Sequence, residues 1–309
     1  MTEFVQHLVN GLSLGTIYAL IALGYTMVYG VLKLINFAHG DIYMVGAFAG
    51  YYIAGAAALR DAPSIARASL VTLGAMLLCG ALGYLIERFA YRPLRHRPRL
   101  TALITAIGVS FLLEYGFQLQ FKGSRFPPGP TPRVFPILVK REPVGWLDAI
   151  GVNLSNYDLI GLGVALGLML GLQWIVYRTR FGTAMRAVSF DPQVAGLMGI
   201  PVNRIISWTF VLGSALAAAA AIINATFRPR IDPLFGLMSG LKAFVAAVLG
   251  GIGSVPGAMV GGLVLGLAEE YVAGYTLSSY RDAIAFAVLI LVLLVRPEGL
   301  FGRATVEKV

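Results

Sequence analysis

The sequence predicts an all-α, polytopic membrane helix bundle of about eight transmembrane segments, with glycine-bent or re-entrant helices, forming one domain over residues 1–309. Three observations carry that expectation. Hydrophobic residues make up 58% of the chain and charged residues 13%, with a mean hydropathy of +0.78, whereas a soluble domain uses about 25% charge to cover its surface. Uncharged runs long enough to cross a ~30 Å hydrocarbon core recur along the chain. The 37 glycines concentrate inside those runs, as in Gly161, Gly163, Gly167 and Gly171, where small residues let helices approach closely in an oil-like solvent. A transmembrane barrel is excluded, because its strands would show alternating polarity in segments of about ten. The net charge of +9 sits largely in short connecting segments, which fits membrane orientation by flanking cations and not nucleic-acid binding.

The elements follow in order. Residues 4–32 contain no Asp, Glu, Lys or Arg. No basic leader with a small-residue cleavage site precedes them, so this run is expected to stay in the mature protein. It places the N-terminus outside if it crosses completely and inside if it contains a re-entrant turn. Residues 42–59 and 68–86 are likewise uncharged, and the lone Cys79 lies in the second as a small packing residue. Residues 88–99 then carry Arg88, Arg92, Arg95, Arg97 and Arg99. Residues 100–121 hold only Glu114, and 159–177, 205–227 and 243–268 hold no charge. The last run, 283–295, is short and borrows Leu277 to Tyr280, with Arg281 and Asp282 neutralising each other. Arg178, Arg180, Arg186 and Arg204 mark the loop 178–204 as cytoplasmic together with 88–99. The loop 120–156, with Pro127, Pro128, Pro130, Pro132 and Pro136, then falls on the periplasmic side.

Two segments interrupt the apolar pattern without room for a loop. One is INFAHGD, with Asn36, His39, Gly40 and Asp41; the other is GGIGSVPG, with Gly250, Gly251, Gly253 and Gly257. Broken backbone at membrane depth is tolerated only where protein or a wet cavity satisfies it, so both are expected to flank a conduit. A shift of 215 residues superposes Met44-Val45-Gly46 on Met259-Val260-Gly261 and aligns the two breaks. The shared layout is consistent with an internal repeat of 12–88 and 237–296; glycine-rich helices also resemble one another by composition alone.

Charges inside membrane segments cost a few kcal/mol each and invite a named role. Asp41 is expected to cap a helix beginning at Ile42. His39 and Asn36 either hydrogen-bond the broken backbone or line the pathway. Lys242 is expected to snorkel, Glu269 and Glu270 to lie at a helix end, and Glu114 to pair with a neighbour or reach the outer surface. None of these acids shows a proton-relay spacing.

In RTRFGTAMRAVSFDPQVAGLMGIP, Asp191 is a good N-cap, Pro192 suits the first helical position, and Gly199 with Pro201 is a stop signal, which predicts a two-turn helix over Pro192 to Met198. Ala195, Gly196 and Leu197 are expected to form its surface. Such a helix either docks in a groove on a soluble partner or lies on the membrane interface. No G-x-x-x-x-G-K-[ST] phosphate cradle occurs in the chain, no cluster has metal-ligand spacing and no catalytic triad is legible. No enzyme activity and no cofactor are expected.

Three long motifs, GTIYALIALGYTMVYGVLKLINFAHGDIYMVGAF, RFGTAMRAV...AGLMGI and KAFVAAVLGGIGSVPGAMVGGL, resemble the LivH-type permease subunits of bacterial branched-chain amino acid ABC importers, over nearly the whole chain from about Leu12. The resemblance implies a multi-pass subunit of the bacterial inner membrane. Its partners would be a homologous LivM-type permease, two cytoplasmic ABC ATPases and a periplasmic amino-acid-binding protein. It also implies that Gly182, Arg186, Ala187, Asp191, Ala195 and Gly199 belong to a cytoplasmic coupling loop contacting the ATPases, with leucine, isoleucine and valine as the favoured substrates. A stand-alone secondary transporter or facilitator, or a passive channel, is the rival expectation.

Overall fold

A computed structural model describes residues 2–56, 63–95, 97–121, 126–144, 153–275 and 280–302. The expected borrowing of Leu277 to Tyr280 lies mostly outside them. The described chain is almost wholly helical: α1 (Thr2–Leu32), α2 (His39–Ala54), α3 (Ile65–Ile86), α4 (Arg99–Gln118), α5 (Asn156–Arg178), α6 (Arg180–Phe190), α7 (Pro192–Leu197), α8 (Val202–Phe227), α9 (Phe235–Gly250), α10 (Val255–Tyr275) and α11 (Arg281–Val295). Arg133–Val134 pairs antiparallel with Arg230–Ile231 in a two-stranded tie between loops.

Among the described residues, six helices are long and apolar enough to cross a membrane, namely α1, α3 with its extension to Leu94, α4, α5, α8 and α10. The bundle is therefore polytopic; against about eight expected segments, six of the described helices qualify as full-length spans. The run 243–268 is not one segment: α9 has 16 residues and ends at Gly250, and α10 begins at Val255. At 16 and 15 residues, α2 and α11 also fall short of the ~20 needed for a perpendicular crossing. α1 is one unbroken helix of 31 residues, long and apolar enough to cross completely, and it holds no re-entrant turn.

The core is built on backbone contact. α1, α2, α8, α9 and α10 pack around one another, with α3 laid on α8. Ala217 to Ala221 of α8 are fully buried. A Cβ on Gly15 would come within 2.8 Å of the Leu263 Cα, and one on Gly262 or Gly266 would collide with Ala19 or Gly15, so only glycine permits the α1–α10 approach. Cys79 is fully buried with its Sγ 3.6 Å from the Ile42 carbonyl, a packing role as expected.

The two arginine-bearing segments meet at one end. α3 passes through a π-turn (Glu87–Tyr91), and Glu87, with no exposed surface, accepts from Arg92 (3.2 Å), Arg95 and the Ser207 hydroxyl (2.6 Å). Arg95 also donates to Asn203. Arginines that serve orientation in the sequence thus also neutralise a buried carboxylate and tie α3 to α8.

Candidate functional site

The first break, residues 33–38, is closed by side chains. Lys33 takes φ 55°, and the chain turns back so that Asn36 accepts from the Tyr91 hydroxyl at 2.7 Å. α2 starts at His39, three positions before the Ile42 start that a cap at Asp41 requires. Ala38 precedes it with helical φ −65° and ψ −4° and no side-chain cap, whereas a capping Asp needs extended backbone. The expectation that Asp41 caps is therefore wrong: its buried carboxylate accepts from Ser110 of α4. Glu114, one turn further along α4, is also buried. The His39 ring bonds the Ile21 backbone, fills the space left by the missing side chain of Gly24 and stacks edge-on to Tyr25 at 4.7 Å. Gly40 lies against Gly236 and Gly240 of α9, where a Cβ on Gly240 would come within 2.8 Å of the Gly40 Cα.

The second break is closed by backbone. Gly251 and Gly253 adopt φ +98° and +97°, which side-chain-bearing residues rarely take. Two orphaned carbonyls at the end of α9 are satisfied by the chain after α11: Leu300 N–H donates to Leu249 (2.8 Å) and Phe301 N–H to Gly250 (3.0 Å). Gly250 and Gly257 touch backbone to backbone across the turn.

The protrusion at the arginine-rich end contains an element the sequence reading missed. α6, 11 residues long, precedes α7 directly, so the short helix does not stand alone. Its signals were the Thr179 hydroxyl, which accepts from Gly182 N–H at 3.1 Å, and the spacing of Phe181, Met185 and Val188. Gly182 is buried where any side chain would strike the Val176 and Ile175 carbonyls, which lets α6 fold back on the end of α5. Arg186 donates to the Val176 carbonyl and lies 5.5 Å from the Tyr177 ring centre. The Ala187 carbonyl accepts from Asp191 N–H at 3.1 Å. Asp191 caps α7 as expected, accepting from Gln193 (2.8 Å) and Val194 (3.0 Å). Gly199, at φ +83°, ends it. Ala195 is 4% exposed and faces inward, contrary to the expected surface. The outward surface is larger and more apolar: Phe190 is 94%, Leu197 87% and Met198 78% exposed, with Val194 beside them.

The protrusion and both breaks converge. Ser189 of α6 donates to the Gly30 carbonyl near the end of α1 at 2.6 Å. A Cβ added to Gly30 would reach to 3.9 Å from the Gly253 Cα in the second break. Met185, Arg186, Ser189, Gly30, Gly253 and Val255 line one cavity of about 70 Å³. The first break begins three residues beyond Gly30.

A second polar centre went unrecognised because its members lie far apart in sequence. Lys242 does not snorkel. It sits between Glu269 (2.7 Å) and Asp282 (2.6 Å), and Glu269 also accepts from the Tyr18 hydroxyl at 2.9 Å. Glu269 and Glu270 lie inside α10 and not at its end. Arg281 pairs with Glu270 at 2.8 Å, not with Asp282. This network joins α1, α9, α10 and α11 where a lone charge would be costly.

Comparison with known proteins agrees with this architecture. The model of the family described as "Branched-chain amino acid transport system / permease component" matches residues 7–293. The high-affinity branched-chain amino acid transport system permease protein LivH of Escherichia coli K12 is 43% identical over 309 residues, covering 99% of this chain and 98% of that protein. Its counterpart BraD of Pseudomonas aeruginosa is 44% identical over 308 residues, covering 99% and 98%. A probable branched-chain amino acid transport permease protein LivH of Methanocaldococcus jannaschii is 26% identical over 294 residues, covering 92% and 88%.

Proposed function

The chain belongs to the branched-chain amino acid transport system permease family, and on that premise we propose that it is the membrane-spanning subunit of an ATP-driven importer for leucine, isoleucine and valine. It lines half of the pathway in the bacterial inner membrane, opposite a homologous LivM-type permease. Two cytoplasmic ABC ATPases dock on α6 and α7, and a periplasmic binding protein delivers substrate to the opposite end. The arginine-rich end is cytoplasmic, which puts the N-terminus of α1 outside. The subunit performs no catalysis; hydrolysis takes place in the ATPases.

The single observation that carries this reading is the continuity from exposed tip to broken helix. Phe190, Leu197 and Met198 present an apolar surface that water does not favour, and Ser189 on the same protrusion holds the Gly30 carbonyl, at a cavity that Gly253 also lines. A push on the tip is delivered to the end of α1 and to both breaks. There, α2 and α9 can shift as short rigid pieces against α1 and α10, opening the conduit alternately to each side. Gly182 and Arg186 fix the protrusion to α5, Ala187 and Asp191 join α6 to α7, and Ala195 and Gly199 seat and end the docking helix. Asn36, His39, Gly40, Asp41, Gly250, Gly251, Gly253 and Gly257 shape the moving segments.

Reconstitution tests the reading. In proteoliposomes the complete set of subunits takes up leucine only with ATP and the binding protein, and the isolated chain takes up none. Uptake by the isolated chain down a leucine or ion gradient would replace the importer with a secondary transporter or facilitator.

A further inference from the structure

A groove of about 310 Å³ lies on the flank of the bundle, remote from both breaks and from the protrusion. Its walls run from Ile65 to Met76 on α3 and from Tyr157 to Leu168 on α5, and Ile223 and Phe227 of α8 form the floor. The lining is almost entirely apolar. Each wall spans 12 residues, a rise of about 16 Å at 1.5 Å per step, which matches one leaflet of a ~30 Å hydrocarbon core. α3 and α5 both pack on α8 but scarcely on each other, so the groove stands where a direct contact between them is missing.

The roof is polar and built. A strap over residues 137–142 crosses from one wall to the other. Ser64 N–H donates to the Leu138 carbonyl at 2.9 Å on the α3 side. Tyr157 donates to the Val139 carbonyl, and the Asn156 side chain to the Lys140 carbonyl at 2.7 Å, on the α5 side. The strap carries Lys140 and Arg141, both exposed. Arg67 is held at the same level by the Ala54 and Ile137 carbonyls, at 3.0 and 3.5 Å. Two acids are also present: Glu142 is exposed, and Asp158 is committed to the Ser155 cap of α5. α3 and α5 both begin at this roof, so two helix dipoles turn their positive ends toward it.

We propose that this groove is a binding site for one anionic phospholipid, an acyl chain lying between α3 and α5 and the headgroup phosphate beside Lys140 and Arg141. The one-leaflet depth suits a chain that hangs from the interface and stops at the bilayer midplane. The cations and the two helix termini favour an anion at the top. The bound chain supplies the packing that α3 and α5 do not give each other.

Native mass spectrometry of the full-length chain in detergent tests this, titrated with dioleoyl-phosphatidylglycerol and with dioleoyl-phosphatidylcholine, whose tails are identical. Saturable binding of one phosphatidylglycerol, about tenfold tighter than phosphatidylcholine, is expected from cations at a lipid headgroup. The surface double variant Lys140→Gln/Arg141→Gln should erase that preference. Val164→Trp, which fills the groove, should remove the retained lipid of either headgroup, and an unchanged melting temperature of each variant serves as the control for folding. Equal affinity for the two lipids, a preference that survives Lys140→Gln/Arg141→Gln, or a photo-cross-linker at Val164 that captures a protein chain in place of lipid would each overturn the proposal.

Discussion

At the centre of the bundle, α1 lies on α10 backbone to backbone, and α2 lies on α9 through Gly40, Gly236 and Gly240. At the arginine-rich end, α6 and α7 are attached by a handful of side-chain and capping bonds and turn Phe190, Leu197 and Met198 outward. The centre tolerates almost no added atom, and its Lys242 is paired with both Glu269 and Asp282. The protrusion spends its apolar residues on the surface, where they add nothing to the stability of the isolated chain. Stability and force transmission therefore reside in different regions, and a substitution should affect one far more than the other.

The largest loss of stability is expected from Lys242→Ala. It leaves Glu269, 1% exposed, with only the more distant Arg281 guanidinium at 3.5 Å as its cation, and breaking a buried pair from one side costs about 3–5 kcal/mol. Lys242→Met with Glu269→Gln should recover most of that loss, read as the melting temperature of the purified chain. Next comes Gly262→Val, whose side chain strikes the Ala19 backbone. Overpacking of about 3 kcal/mol should show as a broadened size-exclusion peak. Asp191→Ala removes the cap of α7 and should cost only ~1 kcal/mol, much of it local to that helix; an intact melting temperature with reduced uptake in the assembled importer is expected. The smallest effect on stability, within ~0.5 kcal/mol, belongs to the exposed pair Leu197→Asp/Met198→Asp, yet ATP-driven uptake should be abolished. If that pair transported normally, or if it unfolded the chain, the division between centre and protrusion would be lost.

The features legible in the sequence were those set by neighbours along the chain. Asp191-Pro192 and Gly199 mark both ends of α7 because caps act within a turn, and GGIGSVPG marks a break because two of its glycines need positive φ. Asp41 was misread because the capping rule considers only its own helix, while its partner Ser110 is 69 positions away on α4. The Lys242–Glu269 pair spans 27 positions and joins helices whose contact the glycines permit but do not announce. α6 was hidden by its arginines, which resemble a loop until Arg186 is seen to bond the end of α5. The inward turn of Ala195 depended on where α7 seats against its neighbours, which no local pattern records.

The account rests most directly on what touches the tip of α7. A photo-cross-linking residue at Leu197, activated in membranes containing the whole transport system, should join this chain to a cytoplasmic ATPase subunit, and the yield should change between ATP-bound and nucleotide-free states. Cross-links to lipid alone, unchanged by ATP, would contradict it.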